Sequence, residues 1–268
     1  MLKVAYILLT IFLTSCNSLS QNNNNTEKEY FTPKDTISYV YKSFKDISQY
    51  LVSNEDKTDT AYFAISYPEF EDPGLNEAVR PYILLDGDSS IQQASENFIM
   101  SYNEFVEENS TKYIFFPWYK NVVATVWINT PLVLTLSTFV DEYTGGAHGL
   151  HYNILSNIDV TTKRKIELKD IIQKEKMKDF TKKAETLFRK LENLSQNESL
   201  EDKFFFENGI FALNDNFGLT KSNLVFYFNE YEIKPYAEGP TTLEIPYEEI
   251  DEFLSPQGKT YVASLKNL

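Results

Sequence analysis

Apolar and polar residues follow different periods in successive stretches of the chain. Thr60–Tyr67 (TAYFAISY) alternates in part and predicts a strand, because side chains two apart on a strand share a face. Leu75–Leu85 and Ser90–Glu108 carry apolar residues at helical spacing and predict two helices. The period then changes. Tyr119–Asn129 (YKNVVATVWIN) and Leu132–Tyr143 (LVLTLSTFVDEY) are rich in β-branched and aromatic residues and meet at Thr130-Pro131, the pattern of a hairpin. His151–Val160 (HYNILSNIDV) continues as a third strand, so TGGAHG, Thr144–Gly149, links two strands. Gly145 and Gly146 suit a turn that needs positive φ or a close backbone approach.

Beyond Leu168, KDIIQKEKMKDFTKKAETLFRKLENL predicts one long amphipathic helix, with Ile171, Ile172, Met177, Phe180, Ala184, Leu187, Phe188 and Leu191 mainly on one face. Asn223–Tyr231 (NLVFYFNEY) reads as a strand and KPYAEGP as a loop bounded by Pro and Gly. Thr241–Pro246 is a further strand and Glu248–Leu254 a short helix. The order of elements predicts an α+β fold of mostly antiparallel sheets with packed helices.

The amino-terminal stretch has a different character. MLKVAYILLTIFLTSC, Met1–Cys16, has a positive start at Lys3, an apolar run to Leu13 and small or hydroxyl residues before a cysteine, which is the build of an export signal. The run is shorter than the roughly 20 residues of a bilayer-spanning helix. Leu13-Thr14-Ser15-Cys16 fits a bacterial lipobox, and Cys16 is the chain's single cysteine, so it has no intramolecular disulfide partner. The expectation is a membrane anchor through lipid on Cys16, in the cell envelope and at the outer membrane rather than the inner. The polar, Asn-rich stretch Asn17–Glu29 cannot bury enough surface to offset its chain entropy and predicts a flexible tether.

Charge narrows the partners. The 268 residues carry a formal net charge of −14, which opposes nucleic acid and anionic lipid and favours cationic partners. An acidic surface also serves solubility alone.

YPEF at Tyr67–Phe70, LN at Leu75-Asn76, TGGAHG, NIDVTTKRKIELKDI at Asn157–Ile171, and FYFNEYEIKPYAEGP with IPY at Phe226–Pro240 and Ile245–Tyr247 together resemble the RsiV-like family. The resemblance covers about Asp59 to Leu254 and implies a PdaC-like amino-terminal domain followed by an RsiV-like carboxy-terminal domain. The expected division is a lipoprotein signal at 1–16, a flexible tether and lead-in at 17–58, a PdaC-like domain at 59–160 and an RsiV-like domain at 161–268. The family includes lysozyme-binding anti-sigma factors, appendages on peptidoglycan deacetylases, and lipoproteins. An export signal at Met1 leaves nothing in the cytoplasm to hold a sigma factor. A chain ending at Leu268 leaves no room for the deacetylases' separate catalytic domain. The resemblance therefore implies an envelope binding protein, with a cationic lysozyme-like protein or peptidoglycan as ligand. The alternative is an envelope hydrolase acting on peptidoglycan or its substituents.

Few residues speak for catalysis. His148 and His151, the two histidines of the chain, could join Asp141 or Glu142 around zinc. Residues three apart on a strand point to opposite faces, however, and the other reading is a His148 that hydrogen-bonds across its turn. No motif of nucleophilic, metallohydrolase or phosphate-binding chemistry occurs, and no cofactor or catalytic residue is expected. Acidic pairs such as Glu69/Glu71/Asp72 and Glu107/Glu108 are ordinary in so acidic a chain. Ligand-binding candidates are Gly145, Gly146 and His148 on the turn, and Tyr231 and Tyr236 on the loop YEIKPYAEGP. A tyrosine on a loop held by Pro235, Gly239 and Pro240 is a good contact residue. Equally, Tyr231, Ile233 and Tyr236 could plug the core at a structural corner.

Overall fold

The computed structural model describes residues 37–54, 57–109 and 116–266. Cys16 and the Asn17–Glu29 tether lie outside the described residues.

Strands β1 (Tyr39–Asn54) and β2 (Lys57–Phe70) form a long antiparallel pair. Helices α1 (Pro73–Ile83) and α2 (Ile91–Glu108) follow, and the chain returns in β3 (Tyr119–Asn129), parallel to β2. A parallel pair requires a crossover, and the two helices supply it. The hairpin of β3 and β4 (Val133–Tyr143), then β5 (Leu150–Asp159) and the two-residue β6 (Arg164–Lys165), complete a sheet of order β1-β2-β3-β4-β5-β6. Helix starts follow their caps: Asp72 accepts from the Gly74 N–H ahead of Pro73, and Ser90 from the Gln93 N–H.

The second unit begins with α3 (Leu168–Ile171) and α4 (Met177–Leu191). It continues through β7 (Phe217–Leu219), β8 (Asn223–Phe228) and β9 (Thr241–Pro246), a three-stranded antiparallel sheet, to α5 (Pro256–Lys266). Its core is strongly aromatic: Phe188 packs edge-on to Phe204 and Phe206 at 5.1 and 5.5 Å between ring centroids. The fold is thus α+β, as the pattern predicts.

Several elements differ from the sequence reading, β6 and β7 among them. The long helix expected after Leu168 is broken. Ile171 and Ile172 are both fully buried, and Ile172 leaves helical geometry to bridge Leu254 while Gln173 donates to the Phe253 carbonyl. Tertiary pairing overrides the helical period there. Strand β1 runs through the segment read as lead-in. Helix α5 is also additional; Ser255 caps it by accepting from the Gly258 N–H, and Pro256 opens it. The short helix expected at Glu248–Leu254 is two 3-10 turns, Tyr247–Glu249 and Asp251–Phe253.

The two faces of the large sheet differ. Phe63, Ile65, Val122, Leu134, Leu136 and Ile158 face α1 and α2 and form an apolar core. The opposite side chains of β4 and β5 meet the second unit through a polar layer. Asn157 accepts from the Thr135 hydroxyl and the Leu219 N–H and donates to the Phe217 carbonyl. Asn216 bonds the free edge of β5 as a partner strand would, accepting from the Leu155 N–H and donating to the Asn153 carbonyl. Asn229 does the same at Asn153. A Cβ on Gly218 would lie 3.2 Å from Leu155 and 3.5 Å from Thr135, so glycine lets β7 approach the sheet closely.

Candidate functional site

The β4–β5 turn and the Tyr231–Gly239 loop arrive side by side. Gly145 and Gly146 have φ of +112° and +98°, so a side chain there is strained whatever the space around it. The Tyr143 hydroxyl donates to the Gly146 carbonyl and pins the turn at 3.0 Å. Across from it, Tyr231 adopts φ +64°, a left-handed conformation uncommon for an aromatic residue. Asn229 and Glu232 bracket it, with the Asn229 N–H on the Glu232 carboxylate at 2.8 Å and the Glu232 N–H on the Asn229 carbonyl at 3.1 Å. Tyr236 starts a single 3-10 turn after Pro235, and Gly239, at φ +69°, ends it.

Three rings converge. His148 stacks on Tyr236 with centroids 4.7 Å apart and planes 19° from parallel, and Tyr236 stacks on Tyr231 at 5.4 Å and 30°. The His148–Tyr231 centroids are 6.4 Å apart. His151 flanks the group, 5.7 Å from Tyr236, and its Nε2 lies 2.9 Å from Glu230 Oε1. The Glu230 side chain is only 11% exposed, and its Oε2 is buried without a hydrogen-bond partner. Tyr231 is 52% exposed.

Three of the five ligand-binding candidates, His148, Tyr231 and Tyr236, therefore meet in one cluster, and Gly145 and Gly146 shape the turn that carries His148. Ile233 is the buried plug of the loop, whereas Tyr231 is exposed and Tyr236 half-buried. His148 departs from the expected bond across its turn: it is exposed, and its Nδ1 lies 2.8 Å from the carbonyl of the adjacent Gly149. The ring stacks on Tyr236, and its Nε2 lies 3.5 Å from the Tyr231 hydroxyl. Glu230, Tyr119 and Tyr143 escape the sequence reading, and His151 enters it only as a possible zinc ligand, because no local signal pairs residues 79 positions apart such as His151 and Glu230.

The residues weighed for zinc have other partners, although Asp141 and His151 are opposite each other on β4 and β5. Glu142 bonds Lys120 at 2.7 Å, Asp141 accepts from the Tyr119 hydroxyl at 3.3 Å, and His151 is taken by Glu230. Among the described residues no group of three or more His, Cys, Asp or Glu is gathered to hold a metal ion. The acidic pairs have structural partners as well: Glu107 accepts from the Tyr50 hydroxyl, and Lys163 holds the Asp72 carboxyl below its ordinary range.

Lys120 ties this end of the sheet to the helix layer. Burial alone would lower the pKa of its ammonium, but hydrogen bonds to Asp86 and Glu142 reverse the effect and raise it.

Comparison with known proteins gives two family matches. Residues 158–248 match the model of the protein of unknown function DUF3298, and residues 54–151 match that of the deacetylase PdaC. The curated proteins give no match. Two crystal structures share the fold. A DUF3298 family member from Bacteroides fragilis NCTC 9343 superposes with a TM-score of 0.68 at 22% identity, over 88% of this chain and 100% of that one. A DUF3298 family protein from Pseudomonas aeruginosa PAO1 gives 0.66 at 19%, over 84% and 97%. Among the described residues no helix is long and apolar enough to cross a membrane. The chain thus joins a PdaC-like stretch to a DUF3298-like stretch, in that order.

Proposed function

We propose that this protein is a cell-envelope binding module, anchored through lipid on Cys16, that holds a cationic lysozyme-like protein on the His148–Tyr236–Tyr231 cluster. The PdaC and DUF3298 matches support envelope association. The single observation that carries the site is the ring stack itself: an exposed and a half-buried tyrosine with an exposed histidine on two pinned turns. Tyrosine rings are what a lysine or arginine side chain seeks, and a pinned loop loses little entropy on binding. The net charge of −14 would steer such a partner in.

Surface-immobilised lysozyme at several salt concentrations tests this. The on-rate is expected to fall as the Debye length shrinks below about 10 Å, and Tyr236→Ala to raise the off-rate at every salt. No binding at low salt removes the lysozyme reading. Binding that vanishes with salt and ignores Tyr236 is plain charge attraction. The anchor has its own test: Cys16→Ala releases the protein from the membrane fraction, and unchanged partitioning removes the lipid.

The deacetylase name of the matched PdaC family supports the second reading, an envelope hydrolase. Stoichiometric bound metal together with product released from peptidoglycan would favour it over the binding module.

A further inference from the structure

The crossover from β2 to β3 leaves a cavity between its two helices. Pro81 stands in the last turn of α1, where it cannot donate to the Glu77 carbonyl, and the helix stops at Leu84, whose N–H bonds the Arg80 carbonyl at 2.8 Å. The chain turns through Gly87, at φ +84°, and restarts in α2 after Ser90. Between α1, the first turn of α2 and the end of β2 lies a space of about 290 Å³, at the small end of the roughly 300–1,000 Å³ of small-molecule sites. Pro68, Val79, Ile83, Leu84 and Ile91 give it an apolar lining. Val79, Ile83 and Leu84 also belong to the core under the helices, so the cavity opens from that core. None of its lining residues belongs to the His148–Tyr236–Tyr231 cluster.

We propose that this cavity binds a small monocarboxylate with an apolar tail. The lining selects the tail, since each Å² of apolar surface taken from water contributes about 25 cal/mol. The charged side chains at the rim select the head. Glu69 is held by Lys42 at 3.8 Å, and Arg80 pairs with Glu77, one turn before it on α1. The Glu77 side chain is 70% exposed, and a pair so open to water contributes little. The Arg80 guanidinium can therefore give its planar fork to a ligand carboxylate, which it matches bidentately, at small cost. Ser90 supplies a second group. Its Oγ accepts the Gln93 N–H at 3.1 Å as the cap of α2, and the hydroxyl proton remains to donate. A cationic head would meet Arg80 with like charge, and an esterified head would lose the ionic bond.

The test is calorimetric titration of the full-length protein with decanoate below its micelle concentration, beside methyl decanoate and decylamine. Decanoate is expected to bind at one site, and to bind about tenfold more weakly to Arg80→Gln. Ile91→Trp, which fills the cavity and removes no charge, is expected to block it. Arg80→Gln changes only an exposed ion pair, so the test survives a misfolded Ile91→Trp. Tyr236→Ala should still bind decanoate, and Arg80→Gln should still capture lysozyme, which separates this site from the protein-binding reading. No heat with decanoate overturns the proposal. Methyl decanoate or decylamine binding as tightly as decanoate, or decanoate binding unchanged in either cavity variant, does the same.

Discussion

The two faces of the six-stranded sheet come from the same strands and have opposite chemistry. Toward α1 and α2, β4 presents Leu134, Leu136 and Val140, all buried in an apolar core. Toward the second unit it presents Thr135 and Ser137, equally buried but hydrogen-bonded to Asn157 and Asn153. Apolar contact is non-directional, so the first face can be assembled from shape and volume alone. A polar layer is directional, and each buried group must find its partner. The helical face folds the sheet; the other orients a second unit on it.

Adjacent residues test that division most directly. Leu136→Ala is expected to cost roughly 2–5 kcal/mol through a cavity under the helices. Ser137→Ala, one residue on, should cost only about 1 kcal/mol, a single lost bond to Asn153. Urea denaturation of both variants measures the ratio, and equal losses would erase the distinction between faces. Next in size is Asn157→Ala, which strands the Leu219 N–H and the Phe217 carbonyl together; a loss of about 2 kcal/mol is expected. Amide exchange of Leu219 should accelerate more than that of Leu134, because the junction loosens before the helix-covered core.

Periodicity exposed the first face and hid the second. The hairpin of β3 and β4, both crossover helices, and β8 and β9 are legible because alternation or helical spacing marks a surface against an apolar core. Strand β1 is not, since an edge strand carrying Lys42, Lys45 and Asp46 has little contrast between its faces. Gly145, Gly146, His148, Tyr231 and Tyr236 could be chosen from turn chemistry, but their convergence could not, being set by the asparagine layer that docks the second unit. Asn153, Asn157 and Asn229 read locally as strand residues, and only the fold shows Asn216 and Asn229 bonding the β5 edge as a partner strand would.

The polar face also carries a pH signature. The Tyr261 hydroxyl of α5 donates to Asp159 at 2.7 Å. Burial pushes the Asp159 carboxyl up, but the bonds from Tyr261 and Thr162 outweigh it and leave its pKa below the ordinary value; burial and Asp159 push the Tyr261 phenol up to about 12. A depressed carboxyl contributes stability above its unfolded pKa of about 3.9 and loses it as pH falls through the folded value. Tyr261→Phe should therefore cost about 1–2 kcal/mol near neutrality, and its difference from wild type should shrink in acid. On the alkaline side, a raised phenol contributes stability below its unfolded pKa of about 10 and loses it as pH rises toward 12. A wild-type–variant gap that is independent of pH would show that the two groups are not coupled.

The smallest expected effect on stability belongs to His148→Ala. A histidine buried in a hydrogen bond across its turn would cost on the order of 1 kcal/mol to remove. This one is exposed, lies against the next carbonyl and, at 3.5 Å, the Tyr231 hydroxyl, and stacks on Tyr236. The turn keeps its shape through Gly145, Gly146 and the Tyr143 bond. Thermal unfolding should thus move by less than about 0.5 kcal/mol equivalent, as for ordinary surface changes. The same substitution removes the outer ring of the stack and leaves Tyr231 and Tyr236 freer to move, so lysozyme should dissociate faster even though the fold is untouched. A variant that melts early and binds normally would return His148 to the scaffold, and the recognition surface would then have to be drawn from the tyrosines alone.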